Sequence, residues 1–91
     1  MSDKEQLYYL IEHYLKGSYT ATDFESQFHV IYREMDYNML SAEEDKLMGE
    51  LWDIGSRCSP YEEDHINFPG MYYTEKELRE KAAEIWSKLK A

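Results

Sequence analysis

Glu62-Glu63-Asp64-His65 is the densest run of side chains capable of chemistry in this 91-residue chain. Three carboxylates and an imidazole suit three kinds of work: holding a metal ion, moving protons, or meeting a cationic partner. A metal needs convergent ligands, and contiguous residues do not all point at one ion. No His-x-x-x-His pair and no second cysteine completes a set. The alternating acids and central glycine of a calcium loop are missing too. Paired carboxylates serve as general acid and base only when desolvated in a cleft, and so short a chain has little room for one. Cys58 ends an apolar stripe and reads as a small core residue, not a nucleophile. Gly17, Gly49, Gly55 and Gly70 are scattered, so no phosphate loop exists, and no nucleophile elbow does either. His13 and His29 fall beside apolar stripes as packing residues. The expectation is a protein that is not an enzyme and carries no metal and no cofactor, its acids meeting a basic partner.

The elements that position these acids start at one recurring device, a Ser or Thr followed three residues later by an acid. The hydroxyl oxygen accepts from first-turn amides, and the acid reaches back to the cap amide. Ser2…Glu5, Thr20…Asp23, Ser41…Glu44 and Thr74…Glu77 each precede helical periodicity. The spacing predicts helices over about Asp3–Lys16, Ala21–Asp36, Ala42–Arg57 and Glu75–Lys90. Their inward stripes are Leu7, Leu10, Ile11, Tyr14 and Leu15; Phe24, Phe28, Ile31, Tyr32 and Met35; Leu47, Leu51, Ile54 and Cys58; and Leu78, Ala82, Ile85, Trp86 and Leu89. Met48, Trp52 and Gly55 widen the third stripe, and Gly49 and Gly55 allow a close helix approach. Gly17 stops the first helix. Pro60 stops the third or opens a turn, and Pro69-Gly70 is a type II turn signal. No strand signal competes. The first two connections are short, so neighbouring helices run antiparallel. The fold expected is all-α: one domain over residues 1–91, an antiparallel four-helix bundle with a long loop, Ser59–Tyr73, between helices three and four.

Charge is distributed unevenly over this frame. From Thr20 to Tyr73 there are twelve acids against three Lys and Arg, a net of −9. The flanking segments carry seven of each and cancel, so the formal charge of the whole chain, −9, belongs to its middle. Such a field attracts a basic partner and repels nucleic acid and anionic membrane. The bases of the last helix, Lys76, Arg79, Lys81, Lys88 and Lys90, interleave with acids as a solvated face, not a phosphate track. Hydrophobic residues at 43% and aromatics at 15% are too many for a disordered acidic tail. One cysteine fits a reducing cytosol. No apolar run spans a bilayer and the charged start is not a secretion signal, so a cytoplasmic protein, monomeric when free, is expected.

Within the acidic middle, Asp36 is placed at the end of the second helix, where its charge opposes the dipole. Glu43, Asp45, Glu50 and Asp53 point away from the third helix's apolar stripe. Glu62, Glu63 and Asp64 then follow Tyr61, three like charges that repel without evident benefit to the fold. The bland alternative is an exposed, solubilising loop. The functional reading is a cluster that meets a basic pocket with Tyr61 as its aromatic anchor, the carboxylates standing in for the phosphates of a nucleic acid.

Tyr14-Leu15-Lys16-Gly17-Ser18-Tyr19-Thr20-Ala21-Thr22-Asp23-Phe24-Glu25 resembles the first helix–turn–helix of the colicin D type immunity proteins, the self-protective colicin-like immunity family. Ser59-Pro60-Tyr61-Glu62-Glu63-Asp64 and the Leu78–Leu89 helix fall where that family has similar segments, so the resemblance runs roughly from Leu7 to Leu89. It implies a four-helix bundle that protects its producer from a co-encoded toxin, for the type member a tRNA anticodon-loop ribonuclease. The family covers a positively charged active site with acids that mimic the tRNA backbone. Carried to this chain, the matching acids are Glu50, Asp53, Glu62, Glu63 and Asp64. The expected partner is a cognate basic nuclease domain in a one-to-one complex. Two alternatives stay open: an acidic helical adaptor for a basic protein unrelated to any toxin, and a small metal-dependent enzyme.

Overall fold

A computed structural model describes residues 2–59 and 61–90. Among these residues five α-helices follow one another, α1 (Asp3–Leu15), α2 (Ala21–Glu34), α3 (Ala42–Ser56), α4 (Glu62–Asn67) and α5 (Glu75–Leu89), with a 3-10 turn at Tyr37–Met39 between α2 and α3. The chain is all-α, with one helix more than expected. The Ser59–Tyr73 connection is not a plain loop, because α4 forms inside it. Among the described residues the only β-type pairing is a parallel bridge between Cys58 and Tyr73. The stop expected at Pro60 falls outside the described residues.

Each long helix begins at its predicted cap, because the hydroxyls satisfy amides that have no partner within the helix. Ser2 Oγ accepts from the Glu5 amide at 3.2 Å and Glu5 returns the bond at 3.3 Å. Ser41 with Glu44 and Thr74 with Glu77 make the same reciprocal pair. Thr20 accepts from the Asp23 amide at 3.1 Å, but Asp23 sends nothing back. Its side chain is one methylene shorter than glutamate, and the box stays half-made.

α1 ends in a Schellman turn. Gly17 takes φ +88°, its amide donates to the Tyr14 carbonyl, and the Ser18 amide donates to the His13 carbonyl at 2.8 Å. Arg79 on α5 completes this end. Its guanidinium donates to the Tyr14 and Leu15 carbonyls at 3.0 Å each and lies 4.8 Å from the Tyr14 ring centroid. α2 ends two residues earlier than expected. Met35 leaves the helix at ψ 162°, and Asp36 instead accepts from the Asn38 amide at 3.0 Å, capping the 3-10 turn. Asp36 therefore does not oppose the α2 dipole. The break lets Met35 and Leu40, one on each side of the turn, both reach the core.

The core joins four helices. Leu7, Leu10, Ile11 and Tyr14 of α1 meet Phe24 and Phe28 of α2, Leu47, Met48 and Leu51 of α3, and Leu78, Ala82 and Ile85 of α5. Each large side chain buried this way contributes roughly 1.5–3 kcal/mol of transfer free energy. α1 packs on α2 and α5, and α3 packs on α2 and α5, while α4 has no extensive contact with any of them. The predicted stripes are inward, with Leu15, Ile31, Tyr32, Ile54, Cys58, Trp86 and Leu89 only partly buried at their edges. The α2–α3 approach is close at both glycines. A Cβ on Gly49 would stand 3.2 Å from the Tyr32 hydroxyl, and one on Gly55 would stand 3.1 Å from Glu25 Cγ.

Candidate functional site

The segment that carries the acidic run is closed at its base. The Tyr73 amide donates to the Arg57 carbonyl at 2.8 Å and the Ser59 amide donates to the Tyr73 carbonyl at 2.9 Å, so both ends of the excursion are held together. Ser59, only 6% exposed, organises what lies between. Its hydroxyl donates to Asp64 Oδ2 at 2.5 Å and accepts from the Tyr61 amide at 3.2 Å. Its carbonyl accepts from His65 Nε2 at 2.9 Å. A carbonyl only accepts, so the imidazole nitrogen facing it carries a proton.

This network forms α4 and sorts the acids. Glu62, Glu63 and Asp64 make the helix's first turn. Their charges face the positive end of a dipole, so they do assist the local fold, contrary to the sequence expectation. Asp64 turns inward to Ser59, whereas Glu62 and Glu63 stand exposed with no ion pair or side-chain hydrogen bond among the described residues. Tyr61, at 69% exposure, heads the helix without capping it.

The other two predicted acids lie on α3 and are engaged. Glu50 pairs with Lys81 of α5 at 3.6 Å, and Asp53 with Arg57 at 3.5 Å. No ion pair or hydrogen bond joins this pair to the α4 acids among the described residues. Glu50 and Asp53 are therefore partly neutralised, whereas Glu62 and Glu63, like the exposed Asp23 and Glu43, carry charge with no ion pair among the described residues.

Other acids of the middle segment serve packing. Glu44 accepts from the Tyr8 hydroxyl at 2.5 Å and pairs with Lys4 at 3.1 Å. Asp45, expected to point away from the apolar stripe, accepts from the Tyr32 hydroxyl at 2.8 Å. Desolvation draws the Glu44 carboxyl upward, but bonds from the Ser41 amide, Tyr8 and Lys4 outweigh it and hold the group at about 2. Tyr8 is pushed up to about 12 by burial and by its bond to Glu44.

A cavity of about 220 Å³ opens beside Tyr61, lined by Ala21, Thr22, Glu25, Cys58 and Glu75. Burial, and then the charges of Glu75, Glu25 and Glu77, push the Cys58 thiol up to about 11. It is a neutral thiol at physiological pH and a poor nucleophile. Glu62 and His65 fall three apart, the Glu-x-x-His spacing of di-metal bundles, which the sequence reading missed. There is only one copy, on a surface helix, and its Nε2 is committed to Ser59. No group of three or more His, Cys, Asp or Glu among the described residues is placed to hold a metal ion.

Sequence reasoning also missed an apolar group beside the acids. Ile66, Phe68, Met71 and Tyr72 are all exposed. The available signal was four large apolar residues in a segment with no helical or strand period to bury them. No described helix is long and apolar enough to cross a membrane. No family model, no curated protein and no solved structure matches this chain.

Proposed function

We propose that this chain is a cytoplasmic immunity protein that binds a cognate nuclease toxin one to one. It covers the toxin's basic cleft with an acidic surface that takes the place of nucleic acid. The observation that carries this reading is Glu62 and Glu63, two exposed carboxylates without internal partners on a helix whose loop is tied at both ends. Desolvated against Lys or Arg, such carboxylates form charge-assisted bonds about twice as strong as neutral ones. Glu50 and Asp53 extend the acidic surface at the cost of exchanging Lys81 and Arg57 for the partner's cations. Asp64 acts by holding the loop in shape. A transfer RNA as the toxin's substrate, and an antiparallel bundle formed by the four long helices, follow the resemblance to the colicin D type immunity proteins. The ring of contacts α1–α2–α3–α5 supports the bundle.

The test is a nuclease assay with the product of the reading frame beside this gene. One equivalent of the chain abolishes cleavage. A folded E62A/E63A variant loses roughly 2–5 kcal/mol of binding for each buried charge pair it breaks. Undiminished inhibition by that variant removes α4 from the mechanism. If the neighbouring frame encodes no toxin, the acidic adaptor reading replaces this one.

A further inference from the structure

Nine large apolar side chains are exposed among the described residues, and five of them, Tyr61, Ile66, Phe68, Met71 and Tyr72, fall between Tyr61 and Tyr72. Ile66 is 68% exposed and Met71 66%, values that leave most of each side chain in water. Exposed apolar groups scattered singly need no explanation, but a concentration of them marks a contact surface. These are concentrated. On α4, Ile66 follows Glu62 by four residues and Glu63 by three, so it lies beside both free carboxylates on one helix face. The chain then turns, with the Met71 amide donating to the Phe68 carbonyl at 3.1 Å. The Phe68 and Tyr72 rings meet edge to face, 6.2 Å apart.

Charge decides what covers this surface. From Ser59 to Tyr73 there are three acids and no Lys or Arg. An anionic membrane is repelled. A second copy brings the same acids against themselves, on a molecule that already carries −9. The occupant that fits is a protein offering an apolar recess rimmed by Lys or Arg. We infer that Ile66, Phe68 and Met71 anchor the chain in an apolar recess beside its partner's basic cleft, while Glu62 and Glu63 pair with the cations at the rim. This rests on the functional reading above and divides the labour within it. The carboxylates speed encounter and then form the charge pairs, and the apolar anchors supply most of the further resistance to dissociation. The closed base of the loop lowers the ordering cost of docking.

The experiment is calorimetry and stopped-flow binding of the catalytically inactivated product of the adjacent reading frame, at about 50 mM and about 500 mM NaCl. It compares the wild-type chain with F68A/M71A, I66A and E62Q/E63Q. All of these positions are exposed, and circular dichroism confirms that each variant is folded. F68A/M71A is expected to bind about 100-fold more weakly at both salt concentrations, almost wholly through faster dissociation. I66A shifts the same way by a smaller factor, and E62Q/E63Q slows association and flattens the salt dependence. If the wild type binds and both apolar variants match it within about twofold, the anchor assignment is overturned and the functional reading stands. If the wild type does not bind, the functional reading fails and the anchor assignment fails with it. Sedimentation of the free chain supplies a further check, because a dimer dissolved by F68A/M71A would make the occupant a second copy and overturn the inference.

Discussion

Glu44 does more for the fold than any of the acids chosen for function. It binds the Ser41 amide of its own capping box, the Tyr8 hydroxyl and the Lys4 ammonium, and so joins α1 to the start of α3. Its carboxyl sits at about 2 against an ordinary 4.5. A group depressed in this way stabilises the fold above its ordinary value and loses that contribution as pH falls from 4.5 toward 2. Glu44 is only partly buried, so solvent screening reduces that contribution to on the order of 1 kcal/mol. E44Q is therefore expected to lose about that much at neutral pH and to flatten the acid limb of a urea-melt stability profile. Tyr8, raised to about 12, has the opposite sign: its contribution is intact below its ordinary 10 and is lost as pH rises through 12. Cys58, pushed up to about 11, is expected to resist thiol reagents at neutral pH until the chain unfolds. Rapid stoichiometric labelling of the native protein would contradict its half-buried placement. None of these partnerships was legible in the sequence. Nine tyrosines suggest half-buried rings, but Tyr8 meets a carboxylate 36 residues away, and only the packing of α1 and α3 on the shared helices α2 and α5 brings the two together.

The long helices were legible because two independent signals coincide, a capping hydroxyl and an apolar stripe of period 3.6. The one imperfect cap shows the chemistry behind the signal. Asp23→Glu supplies the missing methylene, completes the box at Thr20 and is expected to add about 0.5 kcal/mol, read from thermal melts of the pair. α4 escaped notice for the converse reasons. Its six residues are too few for a stripe, its N-cap is Tyr61 with no side-chain bond, and its acids looked like mere repulsion. What forms it is Ser59, outside the helix. S59A removes the bonds to Asp64 and to the Tyr61 amide and is expected to cost about 1–2 kcal/mol. It should also raise amide hydrogen exchange across Glu62–Asn67 while leaving α1 protected. Uniform exchange throughout the molecule would mean that α4 is not organised separately. The early end of α2 was illegible for another reason. Helical period continues through Met35, and the break is set by burying Met35 and Leu40 together.

Across the whole molecule, charge that cancels over the two terminal segments and a concentrated negative charge between them leave the core intact and present a field that attracts cations and repels anions. The chain directs its acids to helix caps, to tyrosine hydroxyls and to cationic side chains, and leaves Glu62 and Glu63 free at the head of α4. Sequence reasoning named Glu62 and Glu63 together with Glu50, Asp53 and Asp64. It could not separate Asp64, which is tied inward, from Glu62 and Glu63, because that distinction depends on which way a six-residue helix faces. The most direct test of the central claim is the rate at which the product of the adjacent reading frame, proposed to be a nuclease, cleaves RNA or DNA, titrated with this chain at rising ionic strength. The account predicts complete inhibition at one equivalent in low salt, association that slows steeply as salt is added, and loss of that steepness in E62Q/E63Q. Full cleavage in the presence of excess folded chain, or inhibition equally fast at every ionic strength, would contradict it.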